Sequence, residues 1–100
     1  MSIITHNIHS LNSAKLVECT TLLGAPAIIC LQETFLQVIP RIQGYQLFHA
    51  PRPSSKGDRK GGGLCTLVPD HLRVREHRKD EFSVYVAIAL QGQTTLHVIN

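Results

Sequence analysis

No stretch of this sequence stays apolar for long. A run such as Ala25 to Leu31 falls far short of the roughly 20 residues that a membrane-spanning helix needs. The N-terminus lacks both the basic residues and the long apolar core of a signal peptide. Nothing in it directs secretion, and an intracellular location, nuclear or cytoplasmic, is expected. Cysteine is scarce. Cys19, Cys30 and Cys65 are odd in number and widely spaced, which suits neither a zinc pattern nor a disulfide framework. Cys30 lies inside the apolar run, so the thiols read as small buried hydrophobes of a reducing compartment. His49, His71, His77 and His97 share no ligand spacing, and no zinc site is expected. Internal repeats, coiled-coil heptads and low-complexity tracts are also missing, which excludes solenoids and fibrous arrays.

What is present suits one domain. The chain is 43% hydrophobic and 17% charged over 100 residues, too apolar for disorder and long enough to bury about 60–70% of its unfolded surface. Charge is unevenly shared. Residues 1–50 hold Lys15 and Arg41 against Glu18 and Glu33, which cancel, and residues 51–100 hold eight Lys or Arg against five Asp or Glu. The whole +3 therefore lies in the second half, a bias that permits a polyanionic partner without demanding one.

The β-branched run Ile3, Ile4, Thr5 in "SIITHNI" reads as a strand. Ser10, Asn12 and Ser13 are N-cap candidates for a helix carrying Leu16, Val17, Thr20 and Leu23, which Gly24 and Pro26 stop. "AIICLQE" is short and continuous, as a strand buried on both faces should be. Strand, helix, strand predicts a right-handed crossover with the two strands parallel. Beyond it, Gly44–Ala50, Gly62–Val68, His71–His77, Phe82–Leu90 and Thr94–Asn100 all read as strands. Phe82, Val84, Val86, Ile88 and Leu90 share one face by period two, and Gln91-Gly92-Gln93 makes a hairpin turn. The one clear loop is "PRPSSKGDRKGG". "LHVIN" runs as a strand without turn, cap or polar tail, so the edge at 94–100 is expected to need a partner, whether a further part of a longer protein or a second copy.

Polar residues just past the carboxyl ends of parallel strands tend to face a ligand. Asn7 and His9 hold that position after the first strand, and Glu33 after the second. An amide and a carboxylate at one sheet edge make half of a site for a hard cation such as Mg²⁺, which takes one or two carboxylates, waters and a phosphate oxygen.

"THNIHSLNSAKLVEC" followed by "PAIICLQETFL", with the later "GYQLFHAPR" and "KGGGLCTLVP", resembles the opening of the endonuclease/exonuclease/phosphatase superfamily. The order and spacing look closest to the endonuclease domain of non-LTR retrotransposons, with apurinic-site repair endonucleases as cousins. The resemblance spans the whole chain, and the chain covers less than half of such a domain. It implies the N-terminal part of a four-layer α/β sandwich, strand–helix–strand and then mainly antiparallel strands. It also implies a Mg²⁺-dependent phosphodiesterase, Mn²⁺ serving as well, that nicks DNA. Glu33 is then the metal ligand and catalytic residue, and Asn7 its hydrogen-bonding neighbour. Arg52, Lys56, Arg59 and Lys60, beside Gly61–Gly63, are the residues placed to approach a nucleic-acid backbone. An exposed hairpin loop is the plainer account of the same residues.

The departures carry weight. Family members usually have an aromatic before the Asn, where this chain has His6; two residues after Asn7, repair endonucleases often have Asp, where it has His9. A neutral imidazole is a poor Mg²⁺ ligand, so His9 is not expected to bind the metal directly. Asn7 has a second reading as a helix cap. Arg73, Arg75 and Arg78 read as a solvated edge. The later Tyr, Asp-x-Asn and Asp-His groups that complete the family's site do not appear, and no Asp or Glu follows Glu81. The expected activity of this chain alone is therefore nil. Two other readings remain open at this point: a non-catalytic truncated or decayed remnant that binds metal or partners weakly, and a part of a phosphodiesterase for inositol phosphates or sphingolipid.

Overall fold

In the computed structural model, residues 2–21, 27–38, 41–52 and 62–100 are described. The elements run β1 (Ser2–Asn7), α1 (Ser13–Thr21), β2 (Ala27–Gln32), β3 (Tyr45–Ala50), β4 (Leu64–Pro69), β5 (Arg73–Lys79), β6 (Val84–Ala89) and β7 (Thr95–Ile99). They form two sheets, a mixed one in the order β1-β2-β4-β3 and an antiparallel one in the order β5-β6-β7. The fold is mixed α/β, with strands predominating and α1 the helix among the described residues. That helix is too short to cross a membrane.

The expected crossover begins as the sequence indicates: β1 and β2 pair in parallel, with Ser2 opposite Ala27 and Asn7 opposite Gln32. Of the three N-cap candidates, Asn12 does the work. Its Oδ1 accepts from Lys15 N at 2.8 Å while its carbonyl accepts from Leu16 N at 3.0 Å, the double role that defines a cap. At the other end of α1, the Thr20 and Thr21 hydroxyls donate to Leu16 O and Val17 O. The expected stop signals Gly24 and Pro26, and the helical Leu23, lie outside the described residues.

Strand β2 is central, and its two faces serve two cores. Ala27, Ile29 and Leu31 point to the side of α1, where they cluster with Ile8, Leu11, Leu16, Cys65 and Leu67. Ile28 and Cys30 point the other way and join Ala50 and Val68 against Val84, Val86, Ile88 and Val98 of the second sheet. This period-two split is why "AIICL" has no polar position to spare. Three layers result: helix, mixed sheet, antiparallel sheet.

One expected member of the second core is elsewhere. Val84, Val86 and Ile88 share the buried face, but Phe82 is 80% exposed. Asp80 Oδ1 accepts from Phe82 N at 2.7 Å and from Ser83 N at 2.9 Å. This side chain–backbone turn takes Phe82 out of the strand before β6 begins, and the same bonds hold the exposed Asp80 carboxyl below its ordinary pKa.

Cys30 and Cys65 are free and buried. Burial raises both thiols, that of Cys65 to about 12, with the nearby Cys30 adding to it. Thiolate is the reactive form, so both should resist a thiol reagent at pH 8 in the folded chain and react once denatured. Peptide mapping by mass spectrometry separates them from Cys19; modification of Cys65 without unfolding would contradict this burial.

Candidate active site

The parallel register fixes what meets at the carboxyl end of the first sheet. Asn7 closes β1 opposite Gln32, and Glu33 is the next residue after β2. The two chains stay together past the strands: Ile8 N donates to Gln32 O at 3.0 Å, Ser10 N to Glu33 O at 2.8 Å and Leu11 N to Thr34 O at 2.9 Å. Asn7, His9 and Glu33 thus lie at one edge, as the sequence implies. Asn7 is exposed there, and its alternative role as a cap is taken by Asn12.

Backbone strain is concentrated here. Among the described residues, the non-glycine positions with positive φ are His9 (46°), Ser10 (81°), Glu33 (54°) and Phe35 (63°), all in the two segments just joined. Each costs about 1–2 kcal/mol in the left-handed region. Such conformations persist where their surroundings over-determine them, which is a habit of functional sites. Lys15 supplies part of that restraint. Its ammonium donates to Ser10 O at 2.8 Å and to Ile8 O and His9 O at 3.3 Å each, so one cation gathers three carbonyls of the loop.

Glu33 is held in an unusual way. Its Oε2 lies 2.9 Å from His9 Nδ1, off the line of a regular hydrogen bond, and that oxygen is sealed from solvent. The side chain as a whole is 37% exposed, so its outward presentation falls to the rest of the group. His9 does not enter the sequence reading as a partner of Glu33; their left-handed turns bring them together, and nothing in the local sequence marks those turns.

Beneath this edge, the strands are braced. Thr34 is fully buried, and its amide donates to Gly63 O at 3.1 Å while Phe35 N donates to Gly62 O at 3.0 Å. The Gln32 amide Nε2 donates to Thr5 Oγ1 (2.9 Å), Cys30 O (3.2 Å) and Asn100 Oδ1 (2.8 Å). Asn100 Nδ2 in turn reaches Leu31 O, Cys65 O and Thr66 Oγ1 at 3.1–3.2 Å. Asn100 therefore straps the second sheet to the end of β2, a role the sequence reading misses.

Among the described residues there is no group of three His, Cys, Asp or Glu side chains able to hold a metal, and the side chain that Glu33 meets is His9. One hard oxygen ligand suits an ion that keeps most of its own waters, as Mg²⁺ does. The remaining expected contacts are dispersed. Arg52 is half-buried, with its amide donating to Leu36 O at 2.9 Å and its carbonyl accepting from Gln37 Nε2 at 2.7 Å. Lys56, Arg59 and Lys60 lie outside the described residues. Arg73, Arg75 and Arg78 are exposed on β5, Arg78 pairing with Glu76 and lying 4.9 Å from the Tyr85 ring centre. The histidines are scattered too, with His97 Nδ1 on Tyr85 OH and the His77 ring beside Phe48. Compared with protein-family models and with curated protein sequences, the chain matches none.

Proposed function

We propose that this chain is the N-terminal portion of a Mg²⁺-dependent phosphodiesterase, of the DNA-nicking type found in non-LTR retrotransposons. The observation that carries the reading is the placement of Asn7 and Glu33 at the carboxyl ends of two parallel strands, with the strained residues His9, Ser10, Glu33 and Phe35 at the same edge. The order of motifs in the sequence supports it, as does the helix-on-sheet-on-sheet layering, which we read as three layers of a four-layer sandwich.

In this reading Glu33 holds the cation, Mg²⁺ or Mn²⁺, which when bound supplies positive charge to a phosphodiester oxygen. Asn7 carries an amide that donates to a phosphate oxygen or orients a water beside it. The Lys15 ammonium, committed to three loop carbonyls, keeps the loop between them fixed. In this reading the second acid or base, which takes the proton of the attacking water, comes from the completing half, since no Asp or Glu follows Glu81 here. The chain alone is therefore inactive, and its DNA and its completing half are the partners of the assembled enzyme. The β7 edge is where such a half, or a second copy, would add.

The test is complementation with the C-terminal half of a non-LTR retrotransposon endonuclease. The mixture should nick supercoiled DNA in Mg²⁺, and Glu33→Gln should lower the rate by about 100-fold, the scale of removing one charge-stabilising group. The amide keeps the shape and loses the charge. If the mixture stays inert while each half is folded, a non-catalytic remnant is the better reading.

A further inference from the structure

We propose that the occupant of the β7 edge is a second copy of this chain, paired antiparallel so that His97 lies opposite His97 on a two-fold axis. This goes beyond the phosphodiesterase reading and does not depend on it.

The backbone of β7 is arranged for such a pairing. β7 is the outer strand of the antiparallel sheet, with β6 on one side. Val84 and Asn100 exchange both backbone bonds, at 3.0 and 2.8 Å. In an antiparallel pair these double bonds fall at every second residue, so the register turns the backbone groups of Val98 and Leu96 to β6 as well. Thr95, His97 and Ile99 then each aim an N–H and a C=O away from the sheet. His97 is the midpoint of β7. Two copies placed antiparallel about it set Thr95 against Ile99 and His97 against His97. Every outward group of both strands gains a partner, as a self-complementary interface requires.

The strand also lacks the usual defences of a sheet edge, which are charges, prolines and bulges. β5, the opposite edge, has Arg73, Arg75, Glu76, Arg78 and Lys79, with a shift in register between Val74 and Glu76. β7 has no Asp, Glu, Lys, Arg or Pro, and its register with β6 is regular. The His97 side chain turns back to β6, its Nδ1 2.7 Å from Tyr85 OH, and leaves the edge clear.

A second observation comes from the first sheet. Ile3 and Ile28 are register partners and so share one face, the face that packs on the second sheet. Ile28 is 0% exposed and Ile3 52%. The cover given by the second sheet therefore stops between β2 and β1. A strand added beyond β7 lies beneath β1 and covers Ile3, with Leu96 and Val98 of the second copy turned toward it.

Sedimentation velocity should show a monomer–dimer equilibrium, its midpoint on the order of 0.1 mM for so short an interface. Amide exchange followed by NMR should slow at Thr95, His97 and Ile99 as concentration rises, with Leu96 and Val98 slow throughout. His97→Pro removes an outward N–H and no bond to β6, which an edge strand tolerates. It should weaken the dimer at least about tenfold and leave melting of the monomer little changed. Ile3→Ser, at an exposed position, should weaken it about fivefold and keeps the test decisive should His97→Pro fail to fold. A chain still monomeric at about 1 mM overturns the proposal. So does a dimer that survives both substitutions, or one in which Thr95, His97 and Ile99 exchange as fast as in the monomer. None of these results enters the nicking assay, so the two readings fail separately.

Discussion

Gly63→Ala is expected to destabilise the chain by about 2–5 kcal/mol. Two costs combine. Gly63 has φ 89°, where a Cβ costs about 1–2 kcal/mol. The new methyl would also overlap Thr34 Oγ1 and press on Phe35 N at 3.3 Å. Thr34 is fully buried and its amide is bonded to Gly63 O, so it has no direction in which to retreat, and overpacking of this kind costs about 1–3 kcal/mol. Gly92 provides the control. It has φ 74° with open space around it, so Gly92→Ala should show the conformational part alone, about 1–2 kcal/mol. Urea denaturation measures both. A further check is the double variant Gly63→Ala with Thr34→Ala: removing Oγ1 should restore part of the loss, as contacting residues do not add independently. Equal effects at Gly63 and Gly92 would sink the steric argument.

Asn100→Ala should cost about 2–4 kcal/mol. The side chain is the meeting point of Gln32, Leu31, Cys65 and Thr66, and deletion leaves several partly buried groups without this partner at once. A stranded buried polar group costs about 1–3 kcal/mol, and these are coupled. Asn100→Asp tests the role of the donor. It keeps the acceptor facing Gln32 but sets a carboxylate oxygen against the Leu31 and Cys65 carbonyls, so it should rescue nothing. Stability close to that of the natural chain in Asn100→Asp would mean that the strap is an ornament of the strand end rather than a brace.

Much of the architecture was legible because it depends on short-range pattern. A continuous apolar run announced β2 as a two-sided strand, and Ile28 and Ile29 indeed face different cores. Alternation announced β6, with Val84, Val86 and Ile88 on one buried face. Phe82 was misplaced because the pattern cannot sense a competing bond: Asp80 captures two amides, and the alternation starts two residues late. Of the candidate site, the placement of Asn7 and Glu33 at one sheet edge was legible through the strand-end rule. His9 as the neighbour of Glu33 was not, because the contact depends on left-handed φ at residues whose types do not advertise it. Lys15 and Asn100 were hidden for another reason. Each acts on backbone carbonyls, and a carbonyl has no letter in a sequence. The reach of Asn100 to Gln32, across 68 positions, lies beyond any window of local pattern.

That reach also orders events in time. The β1–α1–β2 unit is built from contacts fewer than thirty positions apart, and contacts that near in sequence close early in folding, while distant ones wait on the closure of long loops. The tie between Gln32 and Asn100 is among the most distant in the chain. On a ribosome, which releases the N-terminus first, Glu33 would emerge and find its place on β2 well before residue 100 arrives to lock the strand end. Glu33 would pass through a stage in which its strand is formed and its brace is not, and the rigidity of that strand end would mature late.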